Sequence, residues 1–373
     1  MYPIVFPNYQ NSIMNVTASI LRHYGVKTEI VGNPLLDQFL KKKHRNIVYI
    51  LVDALGANML DQHDILSVQL NKDRIGNITS VFPPTTVAAT TSVLTGRPPI
   101  ETGWLGWCQY VREVDKSVIF FLNKDYYSEK SFDENLSDVV APVTKIYELI
   151  EEAKPSVKTT EIFPAFREPR HDTFQKQCES IVALCDEPGE HFMYCYWDKL
   201  DTLMHEGGLS SPDVKAMLAE IDKAYKFLVD HVADDTLIVL LADHGQVDVC
   251  PIELRRYPDL WETFRHEPSV ESRAAAFFIQ EEKKEKFVEL FNKYFRQYFI
   301  LLPREEVLQM NLFGYGVKHP RLDEFLGDYM AIAIDHYYFK MSTDSFFMKG
   351  QHAGLLEGEM MVPLIVHSKK NNK

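Results

Sequence analysis

Near-continuous apolar runs alternate along this chain with segments whose apolar residues recur every three or four positions. That is the pattern of buried parallel strands joined by amphipathic helices. Residues 11–24 set Ile13, Val16, Ile20 and Leu21 on one helical face, with Gly25 as a stop. Asn46 to Val52 (Asn-Ile-Val-Tyr-Ile-Leu-Val) reads as a strand buried on both faces, and the runs 191–197 and 237–242 repeat the pattern. Ahead of the last of these, Ser211 suits an N-cap and Pro212 a first turn, while Met217, Leu218, Ile221, Tyr225 and Leu228 keep helical spacing to about residue 232. A helix feeding directly into a strand predicts an α/β fold, with a mostly parallel central sheet and helices on both faces.

The pattern changes after His244. Residues 273–279 predict a strand, 281–297 a helix, and 298–302 a second strand closed by Pro303. We read a small α+β insertion over residues 255–330, placed to cap a crevice. The catalytic core is then residues 1–254 and 331–373. The chain is expected to rejoin the main sheet through residues 329–339 and to finish with the apolar run 360–366.

Candidate chemistry collects where the strands end. Asp53 closes the first run, Asp201 and His205 follow the second, and Asp243-His244-Gly245 closes the third. In open α/β sheets ligands bind beyond the carboxyl ends of the strands, so the three exits converge on one crevice. Each signal alone has a plain reading. Asp53 suits an N-cap, Asp201 and His205 an exposed i,i+4 pair, and His352 a surface loop between Gly350 and Gly354. An Asp-His pair at a buried strand exit is costly unless something binds both side chains, and Gly245 permits close approach. Together, Asp53, Asp201, Asp243, His205, His244 and His352 suffice for two hydrolytic metal ions. The His-rich mixed set favours Zn2+, with Mn2+ as the alternative.

The segment from Phe82 to Gly96 adds a hydroxyl. Pro83 and Pro84 precede a short predicted helix that Gly96 would stop, and Thr86 falls at its N-terminus. Free N–H groups and the helix dipole favour a phosphate there. The plain alternative is N-capping by Thr85 or Thr86.

In this order the residues resemble the alkaline phosphatase superfamily, in its type I phosphodiesterase/nucleotide pyrophosphatase branch. The resemblance runs from Asn46 to Val366. It rests on Asp53, on Thr86 in a Pro-x-Thr setting ahead of Leu94-Thr-Gly96, on Asp201-x-x-x-His205, on Asp243-His244-Gly245 and on His352. It implies metal-dependent hydrolysis of phosphate esters, of the phosphodiesterase/nucleotide pyrophosphatase type, through a phosphothreonine on Thr86. It also implies one divalent ion on Asp53, Asp243, His244 and Thr86, and a second on Asp201, His205 and His352. Members of the nucleotide pyrophosphatase group carry an Asn three residues past the nucleophile, expected to donate to a phosphoryl oxygen; Ala89 stands there instead, with Thr90 and Thr91 as candidate substitutes. The alternatives are a phosphomonoesterase or phosphomutase of the same superfamily and, outside catalysis, a metal-stabilised binding protein. The hydroxyl at Thr86 argues against the last, since a structural metal site needs no nucleophile.

Composition narrows the partners. The 373 residues, 46% hydrophobic and 25% charged, suit one large α/β domain with an insertion. A net charge of -13 argues against a nucleic-acid polymer or an anionic membrane as partner. It leaves open a small anionic phosphate ester, because bound divalent ions reverse the local field. No basic-then-apolar leader opens the chain, no apolar run approaches the ~20 residues needed to span a bilayer, and five scattered cysteines lack a CxxC pair. A cytoplasmic enzyme is the expectation. Lesser candidates are Trp104 and Trp107 as an aromatic wall, Arg167, Arg170 and His171 as a basic cluster for a phosphate tail, Asp198 as a group orienting a ligand, and Lys199 as its neutralising neighbour.

Overall fold

Residues 2–164, 166–342 and 345–369 are described by a computed structural model. The central sheet has six strands: β1 (Asn46–Val52), β2 (Arg74–Thr79), β3 (Val157–Ile162), β4 (Glu190–Trp197), β5 (Thr236–Leu241) and β6 (Met361–Ser368). Their spatial order is β2-β6-β5-β1-β4-β3. Strands β5, β1, β4 and β3 pair in parallel, whereas β6 runs antiparallel to both β2 and β5. The sheet is therefore mixed, with β6 as the reversed strand. Every residue of β1 and β5 is buried, as their unbroken apolar runs require.

Two helix groups flank the sheet. One contains Ile13–His23, which buries Ile13, Val16, Ile20 and Leu21 and ends before Gly25 at φ +85°, and it packs on the helix Thr86–Thr95. The other contains Phe174–Asp186 and Pro212–His231. The latter starts as its sequence predicts: the Ser211 side chain accepts from the Val214 amide, and Val214, Leu218, Ile221, Tyr225 and Leu228 face the core.

A second, four-stranded antiparallel sheet follows the order Phe264–Val270, Ala274–Ile279, Tyr329–Ala333, Phe299–Pro303. The helix Lys284–Phe295 buries Phe287, Phe291 and Phe295 in an aromatic core with Phe277 and Phe339. One expectation is corrected here. Tyr329–Ala333 does not return to the main sheet but lies inside the small one, paired on both edges. A five-residue apolar strand carries no mark of which sheet it joins. Ala331 and Ala333 decide it by packing into the same aromatic core as Phe277.

Candidate active site

Three neighbouring strands deliver ligand-type residues to one edge of the sheet. Asp53 directly follows β1, Asp243 and His244 lie just past β5, and Asp201 and His205 sit on the helix Lys199–Gly207 that follows β4. One helical turn sets Asp201 and His205 side by side, with His205 Nε2 3.2 Å from Asp201 Oδ2. The loop carrying His352 brings its Nε2 to 3.8 Å from Asp201 Oδ1. Across the crevice, His244 Nε2 lies 3.4 Å from Asp53 Oδ1 and 3.5 Å from Asp243 Oδ2. Thr86 Oγ1 is 3.2 Å from His244 Nε2 and 3.5 Å from Asp53 Oδ2. All seven residues singled out as ligands or nucleophile thus converge.

Ligand atoms of Asp201, His205 and His352 lie within 4.8 Å of one another, as do those of Asp53, Asp201 and His244. Asp201 belongs to both groups, while Asp243 reaches the second through its contact with His244. Asp53 Oδ1 and Asp243 Oδ2 are buried and find no hydrogen-bond donor among the described residues. Buried carboxylate oxygens without a donor are costly unless a cation compensates them. Burial, then the neighbouring Asp243 and Asp201, push Asp53 well above the usual carboxylate range; burial also raises Asp243. Such crowding of acids, set among imidazole nitrogens, fits divalent metal ions.

Supporting hydrogen bonds fix these side chains. Tyr196, near the end of β4, donates its hydroxyl to Asp53 Oδ2, and the Gln246 amide donates to Asp201 Oδ1. The Ala54 and His244 amides donate to Asp243 Oδ1 at 3.1 and 2.9 Å. On each histidine the Nδ1 atom meets a carbonyl: Gly350 at 2.8 Å for His205, Gly245 at 3.1 Å for His244 and Pro84 at 3.2 Å for His352. That arrangement places the proton on Nδ1 and aims Nε2 into the cluster. Asp53 is not an N-cap, because the next helix starts at Ala57 and is capped at Gly56. Gly245 has a packing reason as well: a Cβ there would meet the Gly358 carbonyl at 2.1 Å.

Thr86 opens the helix Thr86–Thr95, which stops at Gly96 with φ +65°. The capping alternative fails. Thr85 occupies the N-cap position, but its hydroxyl makes no cap and donates instead to Glu271 Oε1 at 2.5 Å. Ala89 is fully buried in the main apolar core and does not line the cavity beside Thr86. Thr90 is no substitute donor, since its hydroxyl bonds the Thr86 carbonyl at 2.6 Å.

A cavity of about 290 Å³ opens beside Thr86, walled by Trp107, Tyr126, Glu271, Tyr338 and Phe346 among others. Trp107 belongs to this wall. Trp104 does not: its indole donates to the Ala141 carbonyl at 2.8 Å and its ring packs on Phe120. The proposed basic cluster is used locally, Arg167 by Glu161 and the Phe163 ring, Arg170 by Glu168, and His171 by the Phe163 carbonyl and Ser180. Lys199 bonds the Asp172 carbonyl at 2.8 Å and lies over the Trp197 ring. Sequence reasoning missed Tyr196, Gln246 and Glu271. The first two had a signal, being polar groups at the strand exits already under suspicion. Glu271 had none, because it lies on a turn of the small sheet.

A sequence model of the type I phosphodiesterase / nucleotide pyrophosphatase family matches residues 47–353. The chain belongs to that family. Its members are phosphoric ester hydrolases, and the branch falls within the alkaline phosphatase superfamily. In structure the chain is similar to murine ectonucleotide pyrophosphatase / phosphodiesterase 5, with a TM-score of 0.66 at 17% identity over 88% of each chain. An inactive threonine-to-alanine variant of that murine protein, in complex with AMP, gives 0.65 at 16% identity over 88% of each chain. Phosphonoacetate hydrolase from Sinorhizobium meliloti 1021 in complex with phosphonoformate gives 0.63 at 17% identity, over 88% of this chain and 92% of that one. No curated protein matches the sequence at a significant level. Among the described residues no helix is long and apolar enough to cross a membrane.

Proposed function

We propose that this member of the family hydrolyses small phosphodiesters through a covalent phosphothreonine on Thr86, with two divalent metal ions, zinc before manganese. The observation that carries this reading is the position of Thr86 Oγ1. It stands 3.2 Å from His244 Nε2, where the Asp/His groups meet the open cavity. Asp53, Asp243, His244 and Thr86 would hold one ion, and Asp201, His205 and His352 the other. When bound, such ions lower the pKa of a hydroxyl and offset phosphoryl charge.

The chain's own groups supply the rest. Thr86 Oγ attacks phosphorus as its hydroxyl proton passes to solvent, and the bond to the leaving oxygen breaks in line, that oxygen taking up a proton from solvent to depart as the alcohol. Water then cleaves the bond from phosphorus to Thr86 Oγ in this intermediate, which still carries the second ester group, releasing the phosphomonoester and restoring the hydroxyl. Tyr196 and Gln246 hold Asp53 and Asp201 in place through both steps. Trp107 and its neighbours receive the organic group. The AMP complex of the murine relative supports a nucleotide ester as one candidate substrate. The five free thiols support a reducing, cytoplasmic setting.

Thr86→Ala tests the reading. Turnover of bis(p-nitrophenyl) phosphate should be lost while metal content stays near that of the parent, and Thr86→Ser should keep measurable activity. Acid-quenched parent enzyme should carry a p-nitrophenyl phosphoryl group on the peptide containing Thr86. An alanine variant as active as the parent would assign the attack to water or to another residue.

A further inference from the structure

We propose that Glu271 makes this site select substrates by charge, admitting singly charged phosphodiesters over doubly charged phosphomonoesters. The inference rests on the phosphoesterase reading above and adds a determinant of substrate class to it.

Glu271 lies on the turn between the strands Phe264–Val270 and Ala274–Ile279, and it lines the same cavity as Thr86. It is 5% exposed, an unusual place for a carboxylate with no cation paired to it in an ion pair among the described residues. Its Oε1 accepts from Thr85 Oγ1 at 2.5 Å and from the Trp107 amide at 2.7 Å. Both donors converge on that one oxygen, so Oε2 remains for the cavity. Thr85 is the residue next to the nucleophile, so the carboxylate is fixed within one residue of the reacting hydroxyl.

The backbone leading into Glu271 is strained. Val270 holds φ +73°, a left-handed conformation that a β-branched residue rarely adopts. The pairing of Val270 with Cys108, with its amide 2.7 Å from the Cys108 carbonyl, pins it there. Strain of this kind persists where the surroundings over-determine a position, and such positions cluster at functional sites. Lys340, a cation in the same wall, is engaged by the Phe346 carbonyl at 2.8 Å and by Ser342.

A negative charge built into the wall beside a phosphoryl site acts on the substrate's own charge. A diester carries one negative charge and a monoester two. At an effective dielectric of about 20, one further like charge roughly 10 Å away costs on the order of tenfold in binding or rate.

The test compares two substrates with the same leaving group, bis(p-nitrophenyl) phosphate and p-nitrophenyl phosphate, on metal-loaded, full-length protein. Assays are run well above neutral pH, because burial pushes Glu271 up to about 7. The parent should favour the diester in kcat/KM. Glu271→Gln keeps an oxygen acceptor for Thr85 and Trp107 and removes only the charge, so it should raise the monoester-to-diester ratio about tenfold. Glu271→Asp keeps the charge and should stay near the parental ratio. An unchanged ratio in folded, metal-loaded Glu271→Gln, or an equal rise in Glu271→Asp, overturns the proposal. A parent that favours the monoester does so without any variant.

Binding gives a readout free of turnover. Thr86→Ala should bind methyl phenyl phosphate more tightly than phenyl phosphate, and the reverse order overturns the proposal even if Glu271→Gln does not fold. Failure of the parent to cleave either ester, or full activity in Thr86→Ala, would instead remove the phosphoesterase reading on which this one stands.

Discussion

His244 and His352 lie face to face, their ring centroids 3.8 Å apart and their planes inclined by 22°. One ring follows β5, and the other arrives on a loop much later in the chain. Two protonated imidazoles would repel at that distance in a buried site. Burial, and then the neighbouring His244, push His352 well below the ordinary imidazole range, so it stays neutral with a lone pair on Nε2. The stack therefore joins the two Asp/His groups back to back, with Asp201 common to both.

Two metal peaks are expected from this arrangement. Anomalous scattering at the zinc or manganese edge should show them about 3.5–4 Å apart, the spacing of two-metal hydrolytic sites. One peak lies among Asp201, His205 and His352, the other beside Asp53 and Thr86. A single peak, or peaks away from these residues, would rule out the two-ion assignment.

Tyr196→Phe tests the support beneath Asp53. The hydroxyl of Tyr196 donates to Asp53 Oδ2, and nothing else in the ring change alters the buried packing against Phe163. Loss of such an outer partner typically costs about 10–100-fold in metal affinity or activity. Titration with a competing chelator should show weaker binding of one ion equivalent, with a folded protein by circular dichroism. Parental affinity in that variant would make the contact dispensable.

Much of this was legible in the sequence, and the divisions have physical causes. The unbroken apolar runs of β1, β4 and β5 marked buried strands, and the polar residues at their exits could only gather at one sheet edge. Direction was not legible for β6, because an apolar run reads the same in a parallel or an antiparallel neighbour. The same ambiguity misplaced Tyr329–Ala333. Glu271 meets Thr85 across 186 positions of chain, a contact set by how the small sheet docks and not by any local pattern. Ala89 shows the converse hazard. Its place three residues past Thr86 suggested a phosphoryl contact, whereas the helix turns that side chain into the core.

Ala89→Asn is accordingly expected to destabilise the protein and to bring no gain in diester hydrolysis. The site is fully buried among apolar side chains, so the amide would be both oversized and without partners. Overpacking and an unsatisfied buried polar group each cost about 1–3 kcal/mol. Urea unfolding should show a lower midpoint. A variant of parental stability with faster diester turnover would mean that this position faces the phosphoryl group after all.

The last prediction concerns Arg273 and Glu359, which are fully buried and joined by two bonds of 2.6 Å. Arg273 comes from the small sheet and also donates to the carbonyls of Asp335 and Tyr337 at 2.8 and 2.6 Å. Glu359 accepts from the amides of Gly354 and Leu356 at 2.8 and 3.1 Å, and its own carbonyl accepts from Gly245 at 2.8 Å. The pair thus ties the small sheet to the loop of His352 on one side and to the segment of Asp243 and His244 on the other. Removing one partner leaves an uncompensated buried charge, a change that typically costs about 3–5 kcal/mol. Arg273→Met and Glu359→Leu should each lower stability by that order in urea unfolding. The double variant should lose much less than their sum, because it leaves no orphaned charge. Metal affinity should fall in both single variants, since Gly354 is two residues from His352. Single variants that unfold at the parental midpoint would show that the pair is not what holds these segments together.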